Sequence, residues 1–409
     1  MLHGTLIGGC HVTTGNYDHR VIGRKLGLFH FQEDAAGSAF WHPRGWVLYR
    51  NIENYIRDQL DSNGYQEVRS PQLYQKGLWE KSGHLEHYDD HIYATGEDML
   101  FKPMNCPGHV QIFNSETVSH KQLPMRLAEF GCCHRNEPSG ALNGLFRVRQ
   151  FVQDDAHIFC EPESIESEIK AFCELLDKVY KKFGFEDYSV AISLRPDNRA
   201  GDDALWDRAE ADLIRVVEGL GIPFKLLPGE GAFYGPKLEF ALKDSHGREW
   251  QCGTAQLDFI LPERLGARYA HEDGTLHHPV MIHRAILGSI ERFIAILLEH
   301  TEGHLPMWLA PVPLAILAVG ENDRTAEAAY DVYSFLSHMD APGHERFEID
   351  YRRDENMMVR VREWLTKGAA FVIVVGEKEL ASNTVAVRRR GEKKIEQVEM
   401  KNLLRYLNS

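Results

Sequence analysis

The stretch Phe130-Gly131-Cys132-Cys133-His134-Arg135-Asn136-Glu137 decides the reading of this chain. Phe146-Arg147-Val148-Arg149 and Asp154-Asp155-Ala156-His157 follow it. Arginines alternate along apparent strands here, with acids nearby. A guanidinium is a planar fork that grips carboxylate or phosphate through two parallel hydrogen bonds. The pattern therefore suits an anionic ligand, and taken alone it suits a structural ion-pair network equally well. Asp154, Asp155 and His157 set two acids beside a histidine. Cys106, in Pro103-Met104-Asn105-Cys106-Pro107-Gly108-His109, and His283, in Met281-Ile282-His283-Arg284, are further candidate ligands. No C-x-x-C or H-E-x-x-H spacing is present, so spacing alone does not predict zinc.

Outward from this stretch the segments carry recognisable periods. Asp18 is an N-cap candidate for a first helix. Trp46–Ser62 places Val47, Leu48, Ile52, Tyr55, Ile56 and Leu60 at helical spacing, and Asn63-Gly64 ends it. Tyr65–Val68 reads as a strand running into Pro71, and Gly144–Gln153 and Ala156–Phe159 have strand character. Glu163–Phe183 and Leu205–Leu220 read as amphipathic helices. Lys237–Leu242 and Glu249–Phe259 form a candidate strand pair, and Val280–Glu299 reads as one long helix. The prolines between Leu305 and Pro313 mark a boundary. Beyond it, strands at Leu314–Val319, Phe347–Tyr351 and Ala370–Val375 alternate with helices near Thr325–Ser337 and Met357–Leu365. Such alternation implies a small parallel-sheet α/β domain.

Composition narrows the function classes. The 409 residues give room for two or three domains, and 43% apolar content supports real cores. No apolar run approaches the ~20 residues of a membrane span, and the first 17 residues, a Gly/Thr-rich leader, lack the pattern of a signal peptide. Seven scattered cysteines suit a reducing cytoplasm better than a disulfide framework. The net charge is −14, yet Arg346–Ser409 holds 14 Lys/Arg against 10 Asp/Glu, so a +4 tail region sits on a −18 body. A local phosphate-facing surface and a merely solvated charged face both fit that asymmetry.

Recognition enters at the same segments. MNCPGH (104–109), AEFG-x-CHRNEPSG (128–140), QDDAHIF (153–159), WDRAEADL (206–213), GEGAFYGPK (229–237), QCGT-x-QLDF (251–259) and MIHRAILGS (281–289) together resemble class II aminoacyl-tRNA synthetases, specifically the bacterial type of threonyl-tRNA synthetase. The likeness runs from about Asp18 to the C-terminus and is densest between Asp18 and Arg292. Gly64–Pro71 looks like motif 1, the family's dimer-building segment, His134–Phe151 like motif 2, and His283–Arg292 like motif 3.

The resemblance implies an α+β fold: an antiparallel sheet flanked by helices over 18–306, then a small anticodon-binding α/β domain over 307–409. It implies ATP-dependent activation of L-threonine to the adenylate, transfer to the terminal ribose of tRNA(Thr), and a homodimer. One zinc per chain would be held by Cys106, His157 and His283, with magnesium accompanying ATP. Arg135 would grip the amino-acid carboxylate and the α-phosphate. Glu137, Arg147 and Phe151 would hold ATP, and Ser289 and Arg292 would lie along its phosphates. Gln153, Asp155, Tyr234 and Gln256 would surround threonine, with Lys237 and Gln251 reaching the adenylate. Arg362, Glu379 and Arg388 match positions that face the anticodon.

The departures carry information too. Gln150 stands where the family has glycine, and Cys133 receives no role. His87 and His91 lie inside the catalytic match and read as surface histidines. The segment Arg353–Met358 and Lys367 differ from the family pattern, which implies altered anticodon recognition. Only 17 residues precede Asp18, so no editing domain is expected in cis, and correction of Ser-tRNA would fall to another protein. Two other functions compete: a paralogue delivering threonine to a non-tRNA acceptor, and a non-catalytic RNA-binding relative. The intact set Arg135, Arg147, Arg292, Cys106, His157 and His283 argues against the second.

Overall fold

A computed structural model describes residues 17–88, 91–96, 98–320 and 322–408. The leader, Tyr17 apart, and the His87 side chain lie outside the described residues. Helix α1 (His19–Leu26) starts where Asp18 accepts the Arg20 N–H at 2.8 Å, and it stops at Gly27, whose φ of 64° suits a residue without a Cβ. Helix α2 (Pro43–Ser62) buries Leu48, Ile52, Ile56 and Leu60, the face that the sequence period marks out.

The first body is built on an eight-stranded sheet. In chain order its strands are β1 (Gln66–Glu67), β2 (Met125–His134), β3 (Gln150–Cys160), β4 (Ser189–Ser193), β5 (Lys225–Leu227), β6 (Lys237–Lys243), β7 (Glu249–Asp258) and β8 (Val280–Ser289). They lie in the order β5-β4-β6-β7-β8-β3-β2-β1, antiparallel except for the outermost pair at each edge. Helices α3 (Cys106–Phe113), α4 (Ile165–Lys182), α5 (Asp203–Gly219) and α6 (Ile290–His300) accompany the sheet. One core spans it, from Leu48 and Ile52 on α2 through Phe172 and Leu176 on α4 to Phe293 and Leu297 on α6.

Two segments depart from the sequence reading. Val280–Glu299 is not one helix: β8 runs to Ser289 and only then does α6 begin. β8 is buried on both faces from Val280 to Leu287, with apolar residues on either side of His283-Arg284 and no period of two, a pattern that fits a central strand or a buried helix. The break falls at Gly288, where φ is +75° and an added Cβ would lie 2.8 Å from the Cys252 carbonyl oxygen. Residues 144–149 form turns, with a bridge from Asn143 to Arg147, in place of the expected strand. Arg147 and Arg149 thus project from a loop.

The second body alternates β9 (Leu314–Ala318), α7 (Asp323–His338), β10 (Glu348–Asp350), α8 (Met357–Thr366), β11 (Phe371–Val375), α9 (Glu377–Ser382), β12 (Thr384–Arg389) and β13 (Ile395–Glu399). The sheet order is β10-β9-β11-β12-β13. Its first three strands are parallel as expected, and its last two run antiparallel, making it mixed.

A buried ion pair ties this body together. Arg360, 2% exposed, approaches Asp350, 4% exposed, at 3.0 Å, and Asp350 also accepts from Arg352 and from the Trp364 indole. Burial pushes the Asp350 carboxyl up, but the bonds from Arg352, Trp364 and Arg360 hold it well below the usual range. A carboxylate with a lower pKa folded than unfolded gives stability that is complete above its unfolded pKa and is lost as pH falls through the folded one. Asp350→Asn strands a buried guanidinium, so it is expected to cost about 3–5 kcal/mol at neutral pH and to flatten the loss of stability below pH ~4. Urea unfolding followed by hydrogen exchange of the β9 to β11 amides measures both.

Candidate active site and metal centre

The antiparallel pairing of β3, β7 and β8 assembles a polar cleft of about 450 Å³ on the sheet. Arg135, Glu137, Arg147 and Phe151 line it from the segment after β2 and the start of β3. Gln251 on β7, Ser289 at the end of β8 and Arg292 on α6 face them, so all seven expected ATP residues meet in one cavity. Their contacts preorganise the cations. Arg147 pairs with Glu137 at 2.9 Å, and Arg135 donates to the Pro103 carbonyl at 3.1 Å while lying over the Phe151 ring at 5.0 Å. Arg292 donates to the carbonyls of Phe146 and Gln251, both at 3.0 Å, and Ser289 caps α6 by accepting the Arg292 N–H. Burial above all, and the charges of Arg135 and Arg147, lower the Arg292 pKa. Three guanidiniums that repel one another in a cleft make a hole shaped for polyanionic charge.

A second cluster adjoins it through the sheet register. His157 on β3 stands directly opposite His283 on β8, and Cys106 opens α3, so the three possible ligand atoms lie within 4.8 Å of one another and all are buried. The hydrogen bonds assign the ring protons. Asp258 accepts from His283 Nε2 at 2.8 Å, which leaves His283 Nδ1 a bare lone pair. Glu129 accepts from His109 Nε2 at 3.1 Å, so His109 Nδ1 accepts the proton on His157 Nδ1 at 2.8 Å. His157 Nε2 is then bare as well, and it faces His283 Nδ1 at 3.0 Å. Two lone pairs at that distance repel, and a cation between them turns repulsion into coordination.

Burial drives the His157 pKa well below its ordinary value, so protonation is a poor alternative to a metal. The Cys106 thiol is held far up by burial and by the charges of Asp155 and Asp258, a state that a coordinated divalent ion reverses. One thiol and two carboxylate-oriented imidazoles fit zinc, with a coordination position left open. Asp258→Asn removes the carboxylate that orients His283. It is expected to weaken metal affinity about 10–100-fold, which chelator competition against the unsubstituted chain reads directly.

The expected threonine residues surround this cluster. Asp155 accepts from Asn105 at 2.9 Å, Gln256 pairs in register with His283 and donates to the Gly235 carbonyl at 3.0 Å, and the Tyr234 ring lies 5.2 Å from that of His283. Gln153 sits where the two clusters join, opposite Ser289. Lys237 does not line the cleft: it pairs with Glu239 at 2.6 Å. In the second body the three expected anticodon residues are not gathered into one cavity. Glu379 lines a hollow of about 570 Å³ and caps α9 through the Gly376 N–H, while Arg388 donates to the Lys393 carbonyl and Arg362 is exposed on α8.

Several participants were missed by sequence reasoning. Trp250 stacks on Phe146 at 4.3 Å and lies 5.7 Å from the Arg292 guanidinium. Asp154, which the sequence marks only as an acid beside a histidine, has a role that sequence did not show: it accepts the N–H groups of Ile286, Leu287 and Gly288 between 2.8 and 3.1 Å, fixing the bend that presents Ser289 and Arg292. Its burial pushes the carboxyl up to about 7. His109, Glu129 and Asp258 are likewise carried by the quoted motifs, but no spacing signals that they orient the histidines.

The comparisons agree with this architecture. Residues 91–301 match the family described as tRNA synthetase class II core domain (G, H, P, S and T), and residues 314–409 match the anticodon binding domain. A threonine–tRNA ligase of Dechloromonas aromatica is 51% identical over 95% of this chain and 60% of its own length. That of Ehrlichia chaffeensis is 53% identical over 91% and 58%. The crystal structure titled RNA binding domain of threonyl-tRNA synthetase from Cryptosporidium parvum superposes with a TM-score of 0.85 at 39% identity, covering 96% of this chain and 98% of that one. A putative threonyl-tRNA synthetase from Aeropyrum pernix gives 0.81 at 27% identity, over 95% and 97%. The chain therefore belongs to the class II tRNA synthetases of the glycine, histidine, proline, serine and threonine group and, within them, to the threonyl-tRNA synthetase family. It spans about 60% of the length of the curated relatives it matches.

Proposed function

We propose that the chain activates L-threonine with ATP and magnesium and transfers it to the terminal ribose of tRNA(Thr). The observation that carries this reading is the junction of two clusters at Gln153: a cleft lined by Arg135, Arg147 and Arg292, and a thiol–bis-imidazole centre. The first suits a triphosphate. The second suits a small ligand with donor groups, and zinc, which Cys106, His157 and His283 would hold, would supply a Lewis acid to the amino-acid ligand. Asp155 accepts a hydrogen bond from the ligand's amine or hydroxyl, and Gln256 and Tyr234 close around the side chain. Arg135 bridges the threonine carboxylate and the α-phosphate, where charge gathers as the carboxylate attacks phosphorus and pyrophosphate leaves. Glu137, Arg147, Phe151, Gln251, Ser289 and Arg292 hold the nucleotide. No side chain attacks the substrate, so positioning and electrostatics supply the rate. Lys237 acts on the adenylate only if it exchanges Glu239 for it.

Charging of purified tRNA(Thr) with threonine and ATP tests this directly. Formation of threonyl-adenylate without charging would instead favour a non-tRNA acceptor. Arg362, Glu379 and Arg388 are proposed to read the anticodon, and 18–306 and 307–409 to be the catalytic and anticodon domains. We further propose a homodimer through Tyr65–Pro71, because β1 is the last strand of its sheet and both of its residues are exposed. Sedimentation at micromolar concentration should show twice the chain mass, and a monomer would remove this proposal. No helix of the described residues is long and apolar enough to cross a membrane. The reducing cytoplasm is the compartment in which Cys106 stays a free thiol ligand.

A further inference from the structure

Outside the cleft and the metal centre lies a cavity of about 170 Å³ with an unusual wall. Trp41 precedes α2, Trp46 and Tyr49 stand on α2, Ala39, Gln150 and Val152 complete the sides, and the Glu291 carboxyl on α6 closes it. The rings pack on one another: Trp46 stacks on Tyr49 at 4.9 Å, and Trp41 meets Tyr49 edge-on at 5.2 Å. Trp46 is nevertheless 46% exposed, whereas Glu291 is 5% exposed. The partners of Glu291 are neutral donors: the Val152 N–H at 3.0 Å, the Ser289 hydroxyl at 3.1 Å and the Tyr49 hydroxyl at 3.4 Å. Other ionisable groups near by are Cys132 on β2, on which the charges of Lys102 and Arg69 act, and, beyond Tyr49 on α2, Glu53, which pairs with Arg50 at 3.5 Å and Arg57 at 3.7 Å; none of these cations is bonded to Glu291. A buried carboxylate with no cation bonded to it is costly, and its pKa is accordingly raised by burial, to about 7.

We propose that this cavity is a binding site for an organic ammonium ion. Aromatic faces attract a cation through their quadrupoles, most strongly where water is excluded, and they do so without demanding directional hydrogen bonds. When ionised, at pH above about 7, Glu291 supplies the net charge that three rings alone lack, which separates this wall from an ordinary aromatic cluster. The lining of this cavity is distinct from that of the ATP cleft, although Glu291 accepts from Ser289, which belongs to that cleft. The volume admits one ammonium head, not a nucleotide.

The test uses the full chain and tetramethylammonium as the probe, with potassium chloride at equal ionic strength and neutral tert-butanol as controls. Calorimetry and tryptophan fluorescence should show saturable binding, one ion per chain, that neither control reproduces. Trp46→Ala, at a half-exposed position, should weaken it roughly tenfold or more, and Glu291→Gln should abolish it. Should Glu291→Gln not fold, Trp46→Ala and Trp41→Phe still decide the matter. An absence of saturable binding, equal binding of potassium, or unchanged affinity in Trp46→Ala would each overturn the proposal and leave Glu291 as a first-turn acid that only anchors α6 to β3. Binding that appears at one ion per dimer would also overturn it, because the cavity is built within a single chain.

Discussion

Cys106→Ala is expected to abolish binding of the proposed zinc, from one ion per chain to a small residue, and to slow threonine-dependent pyrophosphate exchange at least about a thousandfold. The magnitude follows from what is left behind. Loss of the thiolate leaves two imidazoles, already oriented by Asp258 and by the Glu129–His109 relay, as the whole donor set. A site built to bind polar groups rejects a ligand it can no longer partner by factors on the order of 10⁴. Cys106 also opens α3 and packs with Val110, Phe113 and Leu127, but alanine at a helix start in an apolar setting is well tolerated. A large fall in thermal stability of the metal-free protein is therefore not expected. Metal analysis beside the exchange assay reads the two effects separately. Full zinc occupancy in the variant would show that the ligand assignment is wrong.

Arg135→Ala is expected to lower the rate of adenylate formation about 10²–10³-fold, with zinc content unchanged. Arg135 donates to the Pro103 carbonyl and lies over Phe151, which holds its charge at the junction of the cleft and the metal centre. Its charge gains most where the pentavalent phosphorus develops, so the loss should fall on kcat for adenylate formation more than on KM for threonine. Arg135→Lys should recover little, because an ammonium keeps the charge without the planar fork and without the ring contact. A loss confined to KM for ATP would instead place Arg135 in ground-state nucleotide binding.

How much of this was legible depended on how each element is buried. Helices α2, α4 and α5 and strand β6 are half-buried, so their apolar periods report their conformation. Strand β8 is buried on both faces, and its period vanished into the apolar run that continues through α6. The loop 144–149 read as a strand because its apolar and basic residues alternate, yet that alternation serves the cleft: Arg147 faces Glu137, and Phe146 lies under Trp250. The seven cleft residues were named only because their motifs resemble a family. Composition and spacing left an ion-pair network equally open.

By itself the sequence determined the half-buried helices, the alternation of the second body and, through its motifs, the family. Only the tertiary structure decided that the second sheet is mixed, that Asp154 clamps the bend at Gly288, and that Asp258 and the Glu129–His109 relay leave two bare nitrogens facing each other. It also decided that Glu291 closes an aromatic cavity while bonded to neutral donors. The physical reason is one of range. A local period records which face of an element leaves water, and a chain carries that along its own length. Proton placement between His157 and His283, 126 residues apart, depends on strand register and on buried carboxylates from two further strands, which meet only once the sheet has formed.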